Sequence, residues 1–170
     1  LTDVNLSVGR VSGDAEPIPL EGSLRFDVQP SDLSGGIEVD TVVAFDQETG
    51  VFTLDGFLME GQVEGLVDGP TRMRFETAAM EINSAENTVS VDPVNISLLD
   101  LEISADVEPF SYENDIKPTA QIRVEPFSPR SLMHLFDVEP PETADPNVLS
   151  KVSIVAKAYV RENNISMTGL

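Results

Sequence analysis

Residues 119–150 read Thr119-Ala-Gln-Ile-Arg-Val-Glu-Pro-Phe-Ser-Pro-Arg-Ser-Leu-Met-His-Leu-Phe-Asp-Val-Glu-Pro-Pro-Glu-Thr-Ala-Asp-Pro-Asn-Val-Leu-Ser150. Ala120, Ile122 and Val124 alternate with Gln121, Arg123 and Glu125, the period of two that marks a half-buried strand. Pro126 stops that ladder because it has no N–H to donate. Ser128 followed by Pro129 is a helix start: a hydroxyl N-cap, then proline at the first helical position, where its missing donor costs nothing. Phe127 and Leu132 stand at N′ and N4, the spacing of a hydrophobic staple. Leu132, Leu135 and Phe136 fall on one helical face. Pro140 and Pro141 end the segment, and Asp145-Pro146 repeats the cap-then-proline signal, so residues 147–150 are expected to form one more turn. This is the one well-signalled helix in the chain.

Working outward, everything else reads as strand and turn. Leu99, Leu101, Ile103, Ala105 and Val107 alternate without error against Asp100, Glu102, Ser104, Asp106 and Glu108. On the other side of the helix, Val152, Ile154, Ala156, Ala158 and Val160 do the same. Earlier, Val4, Leu6 and Val8 mark a strand, as do Leu24, Phe26 and Val28, then Val39, Thr41, Val43 and Phe45. Residues 30–36 read as a loop by composition, and 66–70 as a turn. Gly56 and Gly61 suggest a bulge within the strand 51–63. Met73, Phe75, Thr77 and Ala79 suggest the next strand, running to about Ile82. Asp92-Pro93 breaks the strand between Val91 and Val94.

An internal repeat is expected. An offset of 37 lays Phe45 on Ile82, Asp46 on Asn83, Leu54 on Val91, Asp55 on Asp92 and Phe57 on Val94. A further offset of 76 lays Ile165 on Val89. The approximate units are 38–63, 73–107 and 150–170, the last incomplete. Because the chain starts at Leu1 and both ends fall part-way through a unit, residues 1–170 are expected to be one β-rich fragment of a longer repeat-containing chain. The fold class is therefore mainly β: a curved antiparallel sheet, an open groove or sandwich-like, built from repeated β units, with one short α-helix near residues 129–137.

Composition narrows function by exclusion. Ten basic residues against thirty acidic ones give a net charge of −20, so a phosphate backbone is repelled and nucleic-acid binding is not expected. With no cysteine and one histidine, a zinc site would need nearly all carboxylate ligands, and no metal or cofactor is expected. No nucleophile–base set, phosphate loop or paired-carboxylate signature stands out, so an enzyme is not expected. A carbohydrate-binding sandwich would want aromatic platforms, but the chain has no tryptophan and only two tyrosines, Tyr112 and Tyr159. Arg130, in the first helical turn, is expected to pair with a nearby acid such as Glu125 or Glu142.

What remains is a sheet with one continuous apolar face. One short helix cannot cover it, so the sheet must close over itself as a sandwich or leave a trough. A trough would suit acyl chains, since burying hydrocarbon yields about 25 cal/mol per Å². The candidate groove residues are Leu99, Leu101, Ile103, Ala105 and Val107 with Val152, Ile154 and Ala156. The same residues would serve equally as the core of a closed sandwich.

The stretch from Val124 to Ser150 resembles the AsmA family of Gram-negative bacteria. The shared phrase is strand, then Pro126-Phe127-x-x-Arg130-x-Leu132 with Ser128 and Pro129 as cap, a short helix, then Pro141-x-Thr143-Ala144-Asp145-Pro146-x-x-Leu149 and a new strand. The match is close over residues 120–155 and one of pattern elsewhere. It implies a periplasmic body tethered to the inner membrane by a segment absent from this fragment, with a part in outer-membrane biogenesis and protein assembly. It also implies phospholipid or another acyl-chain ligand carried along an apolar β-groove, with other envelope proteins as possible partners. The strong acidity departs from the family pattern, and the matched residues are structural rather than catalytic.

Overall fold

A computed structural model of the chain describes residues 3–8, 17–28, 32–113, 116–145, 147–161 and 164–168. The strands are β1 (Asp3–Val8), β2 (Ile18–Val28), β3 (Leu33–Asp46), β4 (Val51–Val67), β5 (Gly69–Asn83), β6 (Thr88–Val91), β7 (Val94–Leu98), β8 (Leu101–Val107), β9 (Phe110–Ser111), β10 (Thr119–Phe127), β11 (Val152–Arg161) and β12 (Asn164–Thr168). The helix α1 (Pro129–Leu135) lies between β10 and β11. All strands join one antiparallel sheet whose main order is β1-β2-β3-β4-β5-β7-β8-β10-β11-β12. Strands β6 and β7 pair with successive parts of β5, so they are two halves of one line broken at Asp92-Pro93. Likewise β8 and β9 form one line, pairing with β7 and β6 respectively. The result is an open meander in which chain neighbours are sheet neighbours. At about 4.8 Å per line, the ten lines span roughly 43 Å.

Among the described residues the sheet is a single layer. The closed-sandwich alternative is not what forms, because the ladder runs from β1 to β12 without closing. Among the described residues the buried apolar side chains are Val63, Pro140, Ala156 and Ala158, and no large side chain is fully buried. A compact chain of 18.4 kDa exposes about 8,200 Å²; this one exposes 11695 Å².

The two hairpins predicted to share a scheme have the same turn. Asp46 Oδ1 accepts from the N–H groups of Glu48 (2.8 Å) and Thr49 (3.3 Å). Asn83 Oδ1 accepts from Ala85 (3.0 Å) and Glu86 (3.1 Å). Each turn closes on a residue in the left-handed region, Gly50 (φ 70°) and Asn87 (φ 56°). The turns also bond to one another in series: Ser84 N–H donates to the Gly50 carbonyl at 3.0 Å, and Tyr112 N–H to the Asn87 carbonyl at 3.0 Å. The turn of the third segment lies at residues outside those described.

Asp46 sits below the usual carboxylate range, held there by hydrogen bonding from the Thr49 side chain and then from the backbone of Glu48 and Thr49. A carboxylate depressed in the folded state contributes stability that is present above its unfolded pKa and is lost as pH falls through the folded value. Asn83 makes the same turn without a charge. Asp46→Asn is therefore expected to keep the hairpin and to flatten the acid side of the stability curve relative to the unsubstituted chain, as pH falls through and below the ordinary carboxylate range. Denaturant midpoints measured at several pH values check this; an unchanged acid slope would contradict it.

A crease crosses the sheet. Leu54, Met80 and Val91 are mutually paired on one face, and so are Phe57, Thr77, Val94 and Ala105. In β4, β5 and the β6–β7 line these positions are three residues apart, where strict alternation needs two. Val107 and Phe110 repeat the spacing in the β8–β9 line. The lines of β4, β5 and β6–β7 thus carry one extra residue at the same level, at 55–56, 78–79 and 92–93, and in the β8–β9 line the irregularity at Glu108-Pro109 comes two residues further along. Bulges of this kind bend strands and add twist. Buried threonines take the carbonyls disturbed there: Thr41 Oγ1 donates to the Asp55 carbonyl (3.2 Å) and Thr77 Oγ1 to that of Asp92 (3.0 Å). The strand expected through Ala79 to about Ile82 forms within β5, but the extra residue breaks its alternation. Ala79 does not continue the face of Met73, Phe75 and Thr77; Met80 and Ile82 do.

Three further expectations change. Residues 34–36 are strand rather than loop, paired on both sides by β2 and β4. The segment 66–70 is mostly strand, since β4 reaches Val67 and β5 begins at Gly69. Leu99 is not the first residue of a strand: Leu98 pairs with Leu101, leaving Leu99-Asp100 as a two-residue turn with Leu99 at φ 56°.

The helix forms as its caps dictate. Ser128 is the N-cap and its hydroxyl accepts from Ser131 N–H at 3.1 Å, with Pro129 in the first turn. It ends at Leu135 rather than 137 because Asp137 turns left-handed (φ 53°), and Val138 N–H reaches back to the Met133 carbonyl at 2.9 Å. This is a Schellman closure with aspartate where glycine is usual. Residues 147–150 do form the expected turn, with Asp145 Oδ1 accepting from Asn147 N–H at 2.9 Å and Ser150 N–H donating to the Asn147 carbonyl at 3.1 Å. Pro146 lies outside the described residues. No helix among the described residues is long and apolar enough to cross a membrane.

Candidate apolar ligand face

Register sorts the side chains onto two faces. On one face a row runs Val39, Met59, Phe75, Ile96, Ile103, Val124 and Ile154. The next row runs Thr77, Val94, Ala105, Ile122 and Ala156. Toward β2 the same face carries Leu24, Ile37 and Met73, and Phe57 meets Phe75 edge-on with ring centroids 5.7 Å apart. The opposite face carries Glu38, Glu60, Arg74, Ser97 and Glu102 in one row, with Ser104 opposite Arg123. The apolar face is thus continuous from β2 to β11.

The structure brings together seven of the eight groove candidates. Leu101, Ile103, Ala105 and Val107 lie on β8, and Val152, Ile154 and Ala156 lie on β11. The two sets are separated by β10, whose Ile122 and Val124 complete the surface. Leu99 is the exception; from its turn it lines a depression on the polar side with Ser97 and Arg72. Ala156 is buried, while the large residues of the face are half-buried, shielded by neighbours in the same layer and by no second layer. Thr71 also lies on this face, opposite Val63, with a buried hydroxyl that has no hydrogen-bond partner among the described residues, a cost of about 1–3 kcal/mol. The sequence pattern marked β8 and β11 but gave no sign that Met59, Phe75 and Ile96, far earlier in the chain, extend the same rows.

The residues of the motif serve the connection between β10 and β11. Arg130 does not pair with Glu125 or Glu142. Its Nη2 donates to Thr143 Oγ1 and to the Val148 carbonyl, both at 3.4 Å, and its backbone N–H donates to the Leu149 carbonyl at 3.2 Å. Thr143 Oγ1 in turn donates to the Asp145 carbonyl at 2.7 Å. The arginine therefore ties the start of α1 to the returning turn. Phe127 and Leu132 are half-buried, and no residue of α1 is fully buried; Leu135 and Phe136 are exposed.

Among the described residues no group of three or more histidine or acidic side chains is placed to hold a metal ion. His134 is exposed. Compared with family models, curated proteins and solved structures, the chain matches none.

Proposed function

We propose that this chain is a non-enzymatic, lipid-handling module of an AsmA-like protein. In this reading it belongs to the periplasmic body of a parent tethered to the inner membrane and serves outer-membrane biogenesis and assembly by bridging or carrying phospholipid along its apolar face. The observation that carries the proposal is a single sheet whose apolar face runs uninterrupted from β2 to β11 with no second layer over it among the described residues. Such a surface in water invites a partner, and acyl chains match it chemically because they ask for no hydrogen bonds. The Val124–Ser150 phrase supplies the AsmA-like part of the reading.

A second reading, a scaffold whose apolar face docks on another envelope protein without lipid, fits the same surface. Native mass spectrometry of the chain purified from a Gram-negative host separates them. Bound phospholipid, released by acyl-chain competitors, is the expected result. A chain that carries no lipid and takes up none from vesicles would favour the scaffold.

A further inference from the structure

The polar face holds a feature unrelated to the apolar one. Arg25, Gly36, Gln62 and Arg72 stand opposite one another across β2, β3, β4 and β5. They lie in a depression of about 670 Å³ that also takes in Arg74, Glu38 and Glu60. Three of the ten basic residues of a chain with net charge −20 are thereby gathered on one patch. Arg74 is already satisfied, ion-paired to Glu60 and, at 2.7 Å, to Glu76. Arg25 and Arg72 are exposed and make no side-chain hydrogen bond or ion pair among the described residues. Between them Gly36 leaves the row without a side chain. A Cβ built there meets nothing closer than the Leu24 carbonyl oxygen at 3.8 Å and Arg25 Cγ at 3.9 Å.

We propose that this depression is an oxyanion site for a phosphate group. Arg25 and Arg72 donate from opposite sides, and the Gln62 carboxamide offers a further N–H. Guanidinium forks match phosphate oxygens in pairs, and such charge-assisted bonds are about twice as strong as neutral ones. The three strand spacings between Arg25 and Arg72, roughly 14 Å, lie within the combined reach of two extended arginine side chains with a phosphate group between them. Both flanking rows carry carboxylates: on one side Glu38 and Glu60, the latter sharing Arg74 with Glu76, and on the other Asp27 and Glu64 across Ser34, so an anion is held here by the two guanidinium groups against that background. The site faces away from the proposed acyl surface, so either reading can fail alone.

The test is an NMR titration of the whole chain with inorganic phosphate, chloride holding ionic strength constant, followed at the amides of Gly36, Gln62 and Arg72. Saturable shifts confined to this row are expected. The half-saturating concentration should rise at least tenfold in Arg25→Gln/Arg72→Gln. It should rise similarly in Gly36→Val, which keeps both charges but fills the gap. Arg123→Gln, on the same face in β10, should leave it unchanged. A parallel titration with glycerol phosphate distinguishes the source: tighter binding than inorganic phosphate identifies an esterified headgroup, and equal binding identifies the free ion. Shifts that never saturate, or a half-saturation that the double variant leaves unaltered, would overturn the site.

Discussion

The paired substitution Ile103→Asp and Ile154→Asp is expected to abolish acyl-chain binding while the sheet remains. Both residues belong to the row Ile96, Ile103, Val124, Ile154, two strand lines apart, or roughly 10 Å. Both are half-buried rather than enclosed, so in the free chain each carboxylate can still find water. Once hydrocarbon lies over them that water is lost, and desolvating an ionised carboxylate costs several kcal/mol. Since each 1.4 kcal/mol is a factor of ten, affinity should fall at least 100-fold. Displacement of a fluorescent fatty-acid probe measures it, with circular dichroism to confirm the strands and Ile103→Val as the control that keeps binding. An acid pair that binds like the parent chain would remove ligand binding from this face.

Gly35→Val is expected to be the most damaging single change to the fold, at about 3 kcal/mol. A Cβ at Gly35 would collide with the Gln62 carbonyl oxygen and lie 2.9 Å from Phe26 Cζ and 3.2 Å from Val63 Cα. Two of those atoms are backbone of β4, so relief requires β3 and β4 to separate. One residue away, Gly36 faces open space on the other side of the sheet, and Gly36→Val should lie within about 0.5 kcal/mol of the parent. Chemical denaturation of the two variants provides the comparison. Equal stability of both would contradict the close β3–β4 approach and the assignment of the two glycines to opposite faces.

Residues 33–36 also show where reading the sequence stops. Ser34-Gly35-Gly36 has the composition of a loop, yet it is strand, because glycine is what lets the backbone lie beneath Phe26 and against β4. The clean alternation of Leu101 to Val107 was legible because a period of two needs no knowledge of neighbours. At Ala79 the same logic fails, since the extra residue of the crease transfers the apolar face to Met80, and a bulge without glycine or proline leaves no local mark. Leu99-Asp100 carries no turn signature either; its hairpin is set by the pairing of Leu98 with Leu101. The helix was legible to its first residue because Ser128 and Pro129 are chemical signals, whereas its end depends on a left-handed Asp137. Whether the apolar face is covered could not be read at all, because alternation writes the same pattern for a groove and for a sandwich. Arg25 and Arg72 share a row only through the register of the two strands between them, which composition does not encode.

The central claim is that the uncovered face seats lipid, and photocrosslinking in cells addresses it most directly. A crosslinking residue replaces Leu101 or Ile154 in the protein as expressed in cells, with Glu102, which lies on the polar face opposite Ser97, as the control. Mass spectrometry then identifies the adducts. Phospholipid adducts at Leu101 and Ile154 and none at Glu102 are the expected result. Adducts to protein alone at the two apolar positions would contradict the claim and make the sheet a scaffold whose apolar face is closed by another polypeptide.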